Sequence, residues 1–81
     1  MDNYDHTYGK ITLNINDLIK ESGYSKGKIC KLTDIKRSQF NKYCQNKITR
    51  IDFLTISKLC WVFQCTPNQL FTYESPLKNE V

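Results

Sequence analysis

The sequence has little of what marks a catalyst, a metal site or a membrane protein. Its one histidine, His6, lies in a polar start, MDNYDHTYGK. No Cys-x-x-Cys pair occurs, because Cys30, Cys44, Cys60 and Cys65 are separated by 13, 15 and 4 residues. A structural zinc site draws on closely paired ligands, so no metal is expected. The polar start also lacks the basic beginning and apolar run of a signal peptide, which leaves a cytoplasmic location as the expectation. Without secretion a disulfide framework is not expected, and the cysteines read as small apolar fillers of the core. No apolar run approaches the roughly 20 residues that span a bilayer, so no membrane partner is expected. No nucleophile–base pair, paired carboxylates or phosphate-binding glycine loop is present. The reading is therefore not an enzyme, with no cofactor. Internal repeats and low-complexity segments are missing too. At 81 residues the chain is one domain, near the small end of what folds without staples, and 40% hydrophobic residues suffice for a core.

What the chain does have is segregated charge. Residues 25–50 hold eight Lys and Arg against a single acid, Asp34, a net of +7. The other 55 residues hold four Lys and seven acids, a net of −3, which together give the chain its +4. A total of +4 is ordinary, but this partition makes a one-sided electrostatic footprint.

Periodicity places the elements. Ile11 and Leu13 alternate with Lys10, Thr12 and Asn14, a short strand. Asn14 is positioned to cap a first helix, with Asp17 near its positive end and Ile15, Leu18 and Ile19 as its stripe, and Gly23 stops it near Ser22. Ser25 caps a second helix flanked by a Tyr24–Ile29 staple, whose expected buried face is Ile29, Cys30 and Leu32. Thr33-Asp34-Ile35 forms a turn, with Asp34 in a left-handed position. A third helix runs from about Arg37 to Gln45 with Phe40, Tyr43 and Cys44 inward, and Asn46 is its left-handed stop. Asp52 caps a fourth helix striped by Ile56, Leu59, Cys60 and Phe63. Thr66-Pro67-Asn68-Gln69 opens a short fifth helix with a capping box. Phe71-Thr72-Tyr73 alternates and is a candidate partner for the 10–14 strand. Residues 1–9 and 75–81 read as flexible tails around a domain spanning 10–74.

A helix that enters the major groove needs an inner face locked to a partner helix, donors on its outer face, and flanking cations for phosphates. Phe40 and Tyr43 supply the lock, and Cys30 is small enough for a close crossing. Arg37 suits a guanine edge, Asn41 an adenine edge, and Ser38 either. Lys26, Lys28, Lys47 and Arg50 suit the backbone, and the start of the second helix adds free amides facing a phosphate.

The segments Gly23–Lys26, Ile29–Ser38, Asn46–Asp52, Leu59-Cys60 and Cys65–Leu70 together resemble the Cro- and lambda-repressor-type (XRE-family) helix-turn-helix proteins. The resemblance is closest to a compact subfamily with a strand before the helices. It covers roughly residues 10–74. It implies an all-α, five-helix lambda-repressor-like fold, with room for a two-stranded sheet from the end segments. It also implies a sequence-specific regulator of transcription, a repressor, acting on double-stranded DNA as a homodimer. Carried over by position, it makes Arg37, Ser38 and Lys42 the first base readers and Lys36, Asn41 and Gln45 secondary ones. Lys26 becomes a phosphate contact. The chain departs from the family at Asp34, where Gly is usual, at Lys36, where the reading helix has a Ser or Thr cap, and at Asn46-Lys47, where Asn-Gly is common.

Two other functions compete. A helix-turn-helix-fold protein-interaction module, antitoxin-like or encoded by a phage or mobile element, would depend on Trp61 more than on Arg37. A single-stranded nucleic acid binder needs exposed aromatics for stacking, and the inward spacing of most aromatics argues against it. Trp61 falls beside the buried stripe of the fourth helix. The favoured expectation is a partly covered core aromatic, and the other is an exposed contact for a partner.

Overall fold

The computed structural model describes residues 8–76. In chain order it contains strand β1 (Lys10–Leu13), helices α1 (Ile15–Ser22), α2 (Lys26–Thr33), α3 (Arg37–Cys44), α4 (Phe53–Phe63) and α5 (Pro67–Leu70), and strand β2 (Phe71–Glu74). The architecture is the expected mostly helical one, five helices with a small antiparallel sheet. The expected tails lie mostly outside the described residues, as does His6. Among the described residues, no helix is long and apolar enough to cross a membrane.

Each helix contributes one side chain that is completely buried: Ile15, Ile29, Phe40, Leu59 and Leu70. Leu13 of β1, Tyr43, Cys44 and Val62 complete the buried apolar core. Each such side chain stabilises the fold by about 1.5–3 kcal/mol relative to exposure. In a domain this small, that shared cluster fixes the angle of every helix. Cys30, Cys60 and Cys65 are half-buried against it, and all four thiols are free. Burial pushes the Cys65 thiol above its ordinary value.

The helix ends follow local chemistry at most places. Gly23 takes a left-handed φ of 75° and its N–H donates to Ile19 O. The Ser25 hydroxyl accepts from Lys28 N–H at 3.1 Å, and the Asp52 carboxylate accepts from Thr55 N–H at 2.8 Å. Gln69 Oε1 reaches back to accept from Thr66 N–H at 2.9 Å. Asn14 differs from expectation. It stands at the start of α1 but makes no cap bond. Its side chain instead donates to Gln69 O at 3.1 Å and accepts from the Thr72 hydroxyl at 2.8 Å, while its N–H donates to Leu70 O. These long-range partners outcompete the local cap and weld the start of α1 to the α5–β2 junction.

Leu32 is a correction. It is 44% exposed, and Thr33 takes the inward position one turn after Ile29. The Thr33 hydroxyl is satisfied by donating to Ile29 O at 2.7 Å, which makes its burial tolerable.

The sheet pairs Lys10 with Glu74, Ile11 with Tyr73, Thr12 with Thr72 and Leu13 with Phe71. It is tied to the centre of the chain by Asn46. That residue is left-handed (φ 58°), as expected for the stop of α3. Lys47 N–H donates to Lys42 O and Asn46 N–H to Tyr43 O, which closes α3 in a Schellman turn. The Asn46 side chain then accepts from Leu13 N–H at 2.6 Å and donates to Leu13 O at 3.2 Å. Asn46→Gly keeps the left-handed backbone and loses both bonds. In urea unfolding it is expected to cost about 1–2 kcal/mol. Asn46→Ala should cost about 1 kcal/mol more, because a Cβ is forced into the left-handed region.

The cap of α4 has a pH signature. Hydrogen bonding from Thr55, by side chain and then backbone, together with the charge of Lys58, holds the Asp52 carboxyl below its ordinary range. A depressed folded value stabilises the protein above the unfolded carboxylate pKa, and the benefit is lost as pH falls through the folded one. Asp52→Ala should therefore be less stable than wild type near neutrality. Thermal melts should show the gap closing as the pH falls below about 4.

Candidate nucleic-acid interface

The interface is built on α2, its turn and α3. Asp34 ends α2 with φ 60° and ψ 31°, the left-handed position that bends the chain toward α3. Lys36 is extended (φ −63°, ψ 141°) and its side chain makes no cap bond, so the departure from a Ser or Thr at this position leaves the start of α3 weakly capped. Phe40, Tyr43 and Cys44 are buried and hold one side of α3. On the other side Arg37, Ser38, Lys42 and Gln45 are exposed and Asn41 is half-buried. At 100° per residue these five fall within one arc of the helix. Lys36 is exposed but lies before the helix, beside that arc rather than on it.

The cations expected at the backbone lie in the first turn of α2 and in the segment after α3. Lys28, Lys47 and Arg50 are exposed and Lys26 is half-buried. The Lys28 ammonium rests 4.8 Å from the centroid of the Tyr24 ring, which limits where it can reach. Lys26 and Arg37 converge where α2 and α3 begin. Burial pushes the Cys44 thiol up, and the positive charges of Lys26 and Arg37 oppose that shift. A Cβ on Gly27 would stand 3.8 Å from Arg37 Nη1, so the guanidinium lies over the first turn of α2. Lys47 and Arg50 belong to the segment between α3 and α4, whose start Asn46 fixes to β1.

Neither α2 nor α3 has an acid in its first turn. Both begin instead with cations, Lys26 and Lys28 in one, Lys36 and Arg37 in the other. Helix starts favour negative charge, so this arrangement costs the free protein stability and suits an anionic partner.

The sequence model of the Cro/C1-type HTH DNA-binding domain matches residues 14–76. The chain belongs to this family. The fold also matches the structure described as "Crystal structure of transcriptional regulator VanUg, Form II". The TM-score is 0.68 over 93% of this chain and 99% of that one, at 14% identity, a likeness of fold. No curated protein matches the chain.

Within this Cro/C1-type domain, two features of the site and its surroundings were hidden in the sequence. Asn46 positions the segment carrying Lys47, but its partner Leu13 lies 33 residues away and no local pattern announces the pairing. Trp61 is 57% exposed, so the favoured expectation of a partly covered core aromatic is overturned. Val62, not singled out in the stripe, takes the buried place beside Leu59. A full helical wheel of residues 53–63 would have shown this, since Trp61 falls opposite Leu59.

The weak cap supplies a test of the balance between stability and site. Lys36→Ser places a capping hydroxyl where the backbone is already extended. Denaturant unfolding should show the variant more stable by about 1 kcal/mol, with weaker retention on duplex DNA through the lost charge.

Proposed function

We propose that this protein is a sequence-specific double-stranded DNA-binding transcriptional regulator, a repressor, that reads the major groove with the helix at 37–45. The observation that carries the reading is the joint character of α2 and α3. Two helix starts free of acids and supplied with cations lie beside an exposed arc of Arg37, Ser38, Lys42 and Gln45. Arg37, Ser38 and Lys42 contact bases, with Asn41, Gln45 and Lys36 in supporting places. Lys26, Lys28, Lys47 and Arg50 hold phosphates, which fixes register and makes binding salt-dependent. The half-burial of Asn41 leaves it to act only where the groove floor comes close to the helix. The protein acts in the cytoplasm as a homodimer on paired half-sites about one helical turn apart. A bound domain excludes other proteins from the same stretch of groove, which is why repression is the mode proposed.

A second reading, the protein-interaction module without specific DNA recognition, is favoured by the exposed Trp61. The two separate cleanly by selection from a randomised duplex library, run with wild type and with Arg37→Ala. The DNA reading expects an enriched motif in wild type and a loss of preference at one position in the variant, of about 1–3 kcal/mol. Salt-sensitive retention with no enriched motif would reduce the basic face to a non-specific patch. Absence of both would favour the interaction module.

A further inference from the structure

Helix α4 lies on the surface yet has the composition of a buried helix. Its eleven residues, FLTISKLCWVF, include one charged side chain, Lys58. Leu59 and Val62 are buried, and Thr55, Ile56, Cys60 and Phe63 are half-buried around them. The opposite arc consists of Phe53, Leu54, Ser57 and Trp61, all exposed. Phe53 is 88% exposed, Leu54 64% and Trp61 57%. A surface helix ordinarily carries charges on that arc, and one that is apolar all round is covered on both sides.

We propose that this outer face of α4 is the self-association surface of the protein, packed against the same face of a second copy. The proposal rests on the functional reading above, which requires two copies on paired half-sites, and names the surface that joins them. Three observations favour a second copy over another occupant. The face carries no charge, so two chains of net +4 can meet there without repulsion across the contact, while the cations of residues 26–50 stay on α2, α3 and the segment after them. The three large side chains expose about 400 Å² of apolar surface, from the usual 150–250 Å² of an aromatic residue. That is about half of the roughly 800 Å² each partner contributes to a stable interface. Gln64 and the Lys58 ammonium flank the face as a polar rim of the kind such interfaces have, and Ser57 is a small residue within it. Finally, a straight row of side chains on one helix can interlock with its own copy across a two-fold axis. Another apolar surface, an open groove of about 550 Å³ lined by Ile11, Leu13, Ile48, Ile51, Phe71 and Tyr73, also has Arg50 in its lining, a charge that two copies would bring together.

Trp61 is the sole tryptophan, so its fluorescence reports on this surface directly. Sedimentation of the full chain across a concentration series would be paired with Trp61 emission and acrylamide quenching. The expected result is dimer formation accompanied by a blue shift and reduced quenching. Leu54→Glu should weaken association by about 100-fold or more, since a two-fold contact buries the new charge twice. Glutamate in the first turn of α4 complements the helix dipole, so circular dichroism should show the variant folded. A monomer at every concentration would overturn the proposal. So would a dimer whose Trp61 emission is unchanged and which tolerates Leu54→Glu, a result that would move the contact to the sheet. Duplex retention measured alongside separates the two claims. Association through α4 without DNA retention would uphold the surface and overturn the DNA reading. A Leu54→Glu monomer that still binds DNA with the wild-type salt slope per subunit would uphold both.

Discussion

The structure depends on one shared packing constraint, five completely buried side chains with one from each helix. Ile15, Ile29, Phe40, Leu59 and Leu70 occupy a common interior. Each helix therefore has one face committed to the core and is otherwise free to vary. For α3 that commitment, extended by Tyr43 and Cys44, leaves the Arg37–Gln45 arc outward. For α2 it is made by Ile29 and Thr33, with the Thr33 hydroxyl satisfied inside its own helix. The angle between α2 and α3 is thus a packing result, and the position of every cation on them follows from it.

Against that rigid frame, the electrostatics run counter to the stability of the free protein. Capping and dipole effects would place acids at the starts of α2 and α3, and Asp52 at the start of α4 shows that the chain uses such a device elsewhere. Cations in place of acids at a helix start are confined to the two helices of the candidate interface. Local rules broken in one place and obeyed around it are the usual mark of a functional surface. Asp34 does not fit this balance: a left-handed aspartate costs more than glycine would, and its negative charge also works against an anionic partner.

Much of this was legible in the sequence because most of the helices are amphipathic and most of their ends carry familiar residues. Gly23, Ser25, Asn46, Asp52 and Thr66 marked boundaries by local backbone chemistry, and alternation at 10–13 and 71–73 gave the sheet. The misreadings have specific causes. Leu32 is the more apolar residue, but the wheel of α2 sets Thr33 inward. Asn14 has the chemistry of a local cap, yet Gln69 and Thr72 reach it from the far end of the chain. Gln64 stops α4 in a left-handed conformation (φ 53°) with no glycine or asparagine to announce it. The cationic arc was readable residue by residue, since exposure on a helix follows from spacing. The outer face of α4 was not, because an apolar residue on an apolar helix carries no label for the side it faces.

The most direct test of the central claim, that the α2–α3 face is the surface that meets DNA, is a nuclear magnetic resonance titration of the labelled protein with a short duplex. Amide shifts are expected to concentrate at residues 26–28, 36–38, 41–42 and 45–50 and to weaken as salt is raised. Shifts confined to residues 53–61 or to the sheet, with the α2–α3 amides unmoved, would contradict it.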